Sequence, residues 1–181
     1  MRLGLKNNRE NQVMEWYEQY YDDIYRFILF MLGDRQSCED LVHDTFVRAY
    51  LAIEKFENRS GIKTWLFSIA KHLVIDEIRK RKRKRFFSLT ASYADIPSSF
   101  NLEQHIEDRE IVLEQLKNIQ KLKPNYRLVI TLKKIEECST KEIAEILDWS
   151  EVKVRKTLSR AMQSLRKING MEGRSENEKY S

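Results

Sequence analysis

Two serines eleven residues apart, Ser139 and Ser150, constrain this chain more than any other feature. Ser139-Thr140-Lys141-Glu142 is a capping box. The Ser139 side chain can accept from the Glu142 amide while the Glu142 carboxylate reaches back. A short helix is predicted to follow, with Ile143, Ala144 and Leu147 facing inward. Asp148-Trp149 makes the turn. Ser150 then caps a second helix, and Trp149 stands where it can staple onto Val154. That helix places Val154, Leu158, Ala161 and Leu165 on one face, and Arg155, Lys156, Ser159 and Arg160 largely on the others. Ala144 is small enough to let two helices cross closely. The segment from Ser139 to Lys167 therefore reads as a helix-turn-helix. The N-terminal half of its second helix suits the major groove, where Arg and Lys bond base edges or phosphates. A plain hairpin with a solvated basic face is the competing reading. Caps, tight turn and small residue together are more specific than charge alone.

The rest of the chain follows a helical period too. Its 181 residues hold 5 Gly and 2 Pro, so strand punctuation is nearly absent. Trp16, Tyr17, Tyr20, Tyr21, Ile24, Phe27, Ile28 and Met31 recur at helical spacing from Val13, and Gly33-Asp34 ends that helix. Ser37 with Asp40 resembles a weaker capping box. The next helix carries Leu41, Val42, Phe46, Ala49 and Ile53 on one stripe, with Asp40, Asp44, Arg48 and Glu54 off it. After a polar break at 57–61, Ile62, Trp65, Leu66, Ile69, Ala70 and Leu73 mark a third helix, which runs into seven consecutive basic residues, 79–85. Farther on, Ile106, Ile111, Leu116, Ile119 and Leu122 form another stripe, and Lys123-Pro124 opens a helix over 124–136. The fold class is all-α: two small helical domains joined by a linker, the second containing the helix-turn-helix. The boundaries are a flexible arm over 1–12, a first domain over 13–85, a linker over 86–102, a second domain over 103–168, and a flexible tail over 169–181.

Charge divides along the same lines. Residues 1–56 carry 7 basic and 10 acidic groups, 57–90 carry 10 and 3, 91–123 carry 4 and 6, and 124–168 carry 10 and 6. Two separate basic zones imply two contacts with a polyanion, and the acidic zones imply a face for something else. The first basic zone joins aromatic residues to cations. That suits a strand with unstacked bases, where cations track phosphates and planar groups stack or wall a pocket. Trp65 lies on the apolar stripe and reads as core. Lys71, His72, Asp76 and Arg79 lie off it or at its edge.

Catalysis is not expected. There is no HExxH, GxSxG, P-loop or GxGxxG, and His43, His72 and His105 fall on different elements. Cys38 and Cys138 belong to no CxxC or Cys/His cluster, so neither a metal nor a cofactor is implied. No apolar run is long enough to span a membrane, and the first residues lack a signal-peptide core. A cytoplasmic location is expected.

Three segments, in order, carry a family resemblance. Residues 40–50, from Asp40-Leu41-Val42-His43-Asp44 to Arg48-Ala49-Tyr50, Lys63-Thr64-Trp65-Leu66-Phe67 through Asp76, and Leu122-Lys123-Pro124 through the helix-turn-helix resemble the extracytoplasmic-function (ECF) sigma factors. The likeness covers about residues 14–168. It implies that Asp40, Asp44 and Arg48, with Leu41 and Val47, dock on the β′ clamp helices of core RNA polymerase. It implies that Asn58, Arg59, Ser60 and Gly61, with Lys71, His72, Asp76 and Arg79, open the −10 promoter element and read it as single strand. Arg155, Lys156 and Ser159 would read the −35 element as duplex, while Lys153, Arg160 and Arg166 hold phosphates. The second domain would also touch the β flap, and the linker would thread toward the RNA exit path. An anti-sigma factor, often membrane-bound in the family, is a further implied partner. Three departures stand out: Asp148 where the turn usually has Gly, Ser150-Glu151-Val152-Lys153-Val154 where the family has "PVGTV", and a longer basic run after Ile78, whose extra cations are expected to grip DNA. A stand-alone helix-turn-helix regulator would lack the docking pattern on the first domain, and a small basic RNA-binding protein would lack promoter preference.

Overall fold

The computed structural model describes residues 2–56, 61–87 and 109–170. Every regular element among them is helical: α1 (Arg2–Leu32), α2 (Arg35–Ala52), a 3₁₀ turn (Ile53–Lys55), α3 (Ile62–Phe87), α4 (Arg109–Gln120), α5 (Pro124–Ile130), a π-helical turn (Thr131–Ile135), α6 (Thr140–Leu147) and α7 (Glu151–Ile168). The expected linker, but for 86 and 87 at the end of α3, and the tail beyond Gly170 lie outside the described residues.

α1, α2 and α3 pack on one another, as the apolar stripes require. Ile24, Phe27, Ile28, Val42, Ala49, Leu66, Phe67, Ala70 and Val74 are buried between them. Phe27 and Phe67 meet edge to face at 5.3 Å. Trp65 joins Trp16 and Phe56 in an aromatic cluster, with centroids 5.9 and 4.8 Å away. It is part of the packing, as its place on the stripe predicts.

Three local expectations change. The arm expected over 1–12 is helical from Arg2, and Arg9 pairs with Glu54 of the 3₁₀ turn. The cap of α2 is Asp34, not Ser37. Gly33 turns the chain at φ +78, leaving Asp34 extended, so that its carboxylate accepts from the Ser37 amide at 2.8 Å. The helix predicted over 124–136 is α-helical only to Ile130. The π turn that follows ends at Glu136, and Glu137 takes a left-handed φ of 55.

The two domains also pack against each other. α1 touches α4, α5 and the π turn, while α6 lies along α3. One continuous apolar cluster runs from Val13 through Phe30, Met31 and Leu32 to Leu116, Ile119, Leu122 and Ala161.

Candidate nucleic-acid interface

The helix-turn-helix forms as its caps dictate. The Ser139 hydroxyl accepts from the Glu142 amide at 3.2 Å, and the Ser139 amide donates to the Glu142 carboxylate at 2.7 Å. Those bonds from Ser139 hold the Glu142 carboxyl below its usual range. Asp148 ends α6 in the left-handed region, φ 55 and ψ 50, the conformation that glycine adopts freely and aspartate tolerates. The Ser150 hydroxyl then accepts from the Lys153 amide at 3.2 Å and starts α7.

α7 buries Val154 and Ala161 and half-buries Leu158 and Leu165. Lys153, Arg155, Lys156, Ser159, Arg160 and Arg166 are all exposed. Two of these cations have neighbours within their own domain. Arg155 pairs with Glu151 at 3.1 Å, and the Lys153 ammonium lies 4.1 Å from the centre of the Trp149 ring.

The other surface expected to meet nucleic acid sits differently. Lys71, His72, Asp76 and Arg79 do fall on one side of α3, but that side lines a cleft of about 290 Å³ whose opposite wall is Leu147 and Trp149. Lys71 donates to His72 Nε2 at 3.2 Å, so the ring proton sits on Nδ1, which donates to the Ser68 carbonyl at 2.6 Å. Burial lowers the Lys71 ammonium against a weaker opposing pull from Asp148 of the turn. Arg79 pairs with Asp76 at 3.5 Å, and both are exposed. Gly61 is exposed, whereas Asn58, Arg59 and Ser60 lie outside the described residues.

The basic run is not uniformly available to DNA. Arg81 turns back into the protein, where it meets Asp34 at 2.5 Å, Ser37 Oγ at 2.6 Å and Glu77 at 2.9 Å. Burial alone would raise the Asp34 carboxyl, but these bonds and the Ser37 amide hold it below its ordinary value. Lys80, Arg83 and Lys82 remain exposed.

The expected docking residues share one surface. Asp40, Asp44, Val47 and Arg48 are exposed on α2 and Leu41 is half-buried. Val47 and Leu51 expose 41% and 74% of their surface, so the charges flank an apolar strip. Charged groups around exposed apolar side chains are the pattern of a protein-binding surface.

Sequence reasoning missed the residues that join the domains. Arg26 grips Glu136 with two bonds of 2.8 Å. Gln120 and Arg127 donate to the carbonyls of Phe30 and Met31. Partners 90 to 110 positions apart leave no local pattern to read.

Comparison with known proteins agrees with this architecture. The sigma-70 region 2 family matches residues 16–84, and the sigma-70 region 4 family matches residues 116–165. A chain built from these two regions is an RNA polymerase sigma factor. The sigma factor YlaC of Bacillus subtilis (strain 168) is 32% identical over 158 residues, covering 87% of this chain and 91% of that protein. The ECF sigma factor SigX of the same organism is 32% identical over 163 residues, covering 83% and 80%. The chain belongs to the ECF RNA polymerase sigma factors. Its fold is also that of the sigma factor RpoE solved with the anti-sigma factor NepR from Bartonella quintana, at a TM-score of 0.73 and 21% identity, covering 88% of this chain and 97% of that one. Its function is promoter-specific transcription initiation with RNA polymerase, not operator binding by a stand-alone regulator.

Proposed function

We propose a division of labour over three surfaces of this sigma factor. The exposed face of α2, with Asp40, Leu41, Asp44, Val47 and Arg48, docks on the β′ clamp helices of core polymerase. The face of α3 with Lys71, His72, Asp76 and Arg79, together with residues 58–61, opens the −10 element and holds it as single strand. The exposed side of α7 reads the −35 duplex: Arg155, Lys156 and Ser159 address bases, and Lys153, Arg160 and Arg166 address phosphates. The second domain also meets the β flap. The observation that carries this reading is the Ser150-capped α7, whose exposed flank presents all six of the predicted residues.

The chain supplies recognition and melting, while the polymerase performs the nucleotidyl transfer. It works in the cytoplasm, where that polymerase is. Among the described residues no helix is long and apolar enough to cross a membrane. An anti-sigma factor is a further partner. The solved relative's own complex with NepR supports that assignment.

Run-off transcription with core polymerase tests the whole scheme. A promoter-specific transcript should depend on this chain, and its absence from every template of the source genome would refute the scheme. Asp44→Arg should abolish core binding while leaving the helical content intact. Retained affinity for core would remove the β′ assignment.

A further inference from the structure

Val152 and Val154 stand two residues apart at the start of α7, and the fold gives them opposite surroundings. Val154 is wholly buried, whereas Val152 leaves 52% of its surface in water. Among the described residues it is the one large apolar side chain that the second domain exposes. A single exposed valine is ordinary on a protein surface, but the neighbours of this one are not. Lys156 and Ser159, four and seven positions on, share its helix face and are exposed too. Both are assigned above to −35 bases. Lys153, Arg155 and Arg160 flank that line, also exposed. On α2, Val47 and Leu51 make an apolar strip that suits a protein partner. Val152 has no such companion and stands among cations, which favours DNA. It also lies in the N-terminal turn of its helix, the part that reaches base edges in a helix-turn-helix.

That turn is fixed before DNA arrives. The Ser150 hydroxyl caps the Lys153 amide at 3.2 Å, and the Lys153 ammonium lies 4.1 Å from the centre of the Trp149 ring. Glu151, the acid beside Val152, is taken by Arg155 at 3.1 Å. Valine in a helix has one strongly preferred rotamer, so little freedom is lost in seating it. The groove then selects the partner. Base edges there carry donors, acceptors and one apolar group, the C5-methyl of thymine. Valine neither donates nor accepts. Against an amino, carbonyl or ring-nitrogen edge it would strip water from a polar atom and return no bond. Against the methyl, both surfaces leave water to advantage.

We propose that Val152 is a specificity-determining residue of the −35 contact, selecting a thymine by packing on its C5-methyl. The inference rests on the assignment of α7 to the −35 duplex. Four residues of helix rise about 6 Å and base pairs stack about 3.4 Å apart, so this thymine lies within about two base pairs of the one that Lys156 addresses.

The test uses holoenzyme assembled from the full chain and core polymerase, on promoter DNA found by run-off transcription. Each thymine of the −35 element, on either strand, is replaced in turn by deoxyuridine, which removes only the methyl. Competition binding should reveal one thymine whose replacement weakens the parent about fourfold, the effect of burying about one methyl-sized group. It should lie within about two base pairs of the position whose preference Lys156→Ala relaxes. Val152→Ala should bind the thymine and uracil forms of that site alike. Val152→Ile, still apolar and β-branched, should keep the preference for thymine. Helical circular dichroism checks that both variants are folded. No methyl-sensitive thymine, one far from the Lys156 position, or a preference that survives in Val152→Ala would each overturn the proposal. So would a Val152→Ala loss of transcription equal on thymine and uracil templates, which would give Val152 to a polymerase surface instead. Absence of any promoter-specific transcript would overturn the promoter reading and the thymine contact together, whereas a transcript without methyl sensitivity overturns the thymine contact alone.

Discussion

α3 and α7 are both basic helices assigned to DNA, yet the protein treats them in opposite ways. α7 is buried along a single stripe, and its remaining surface meets water. α3 is packed by α1, α2 and α6, so Leu66, Phe67, Ala70 and Val74 are wholly enclosed and its charged side looks into a cleft. On the roles proposed above, the two helices would meet DNA in different forms. A duplex offers its major groove to a preformed convex helix. A single strand must be unstacked and held, which calls for cations that track its phosphates.

The largest effect that probes this contrast is on stability. Phe67→Ala removes a ring packed against Phe27 at the centre of the first domain and should cost about 3–5 kcal/mol in urea melts. Gln163→Ala on the open side of α7 should stay within about 0.5 kcal/mol. Similar losses at both sites would erase the distinction between an enclosed and an open helix. Arg155→Ala should weaken −35 duplex binding by about 1–3 kcal/mol and relax preference at one base position, as competition between duplexes carrying variant −35 elements would register. A uniform loss across sequences would reassign Arg155 to phosphate. Ser150→Ala should cost about 1 kcal/mol by leaving the Lys153 amide unsatisfied, measured by thermal melting.

The smallest effect is on the response to acid. The Glu142 carboxyl is held below its ordinary value by Ser139, so the folded state binds its proton less readily than the unfolded state does. Its stabilising contribution is present above the ordinary carboxylate range and is lost as pH falls through the lowered value. Glu142→Gln should flatten that part of the pH–stability curve. A variant as acid-sensitive as the parent would show that the capping box does not contribute there.

Much of this was legible in the chain because the signals were local. Ser139, Glu142 and Ser150 lie within one or two turns of what they cap, so their bonds could be read from spacing. The exposed charges of α2 followed from the stripe opposite them. Other features depended on distant partners. Residues 2–12 lack an apolar stripe but are helical, with Arg9 anchored to Glu54. Arg81 looked like one more cation in a run, and only the return of the chain at Asp34 gives it a structural partner. Glu136 sat in an ordinary helical pattern. The π turn before it adds a residue to the last loop of helix, which changes the direction in which Glu136 projects.

The two thiols have a practical consequence. Cys38 is enclosed in the first domain, and burial drives its thiol far up. Cys138 follows Glu136 by two residues, and burial raises its thiol to about 11. Reaction with a thiol reagent requires exposure and the thiolate. Cys38 should therefore react only at the rate of whole-domain unfolding, while Cys138 should react whenever its local surroundings loosen. The native chain thus carries two chemical clocks of different gearing, readable by mass spectrometry without any label being introduced.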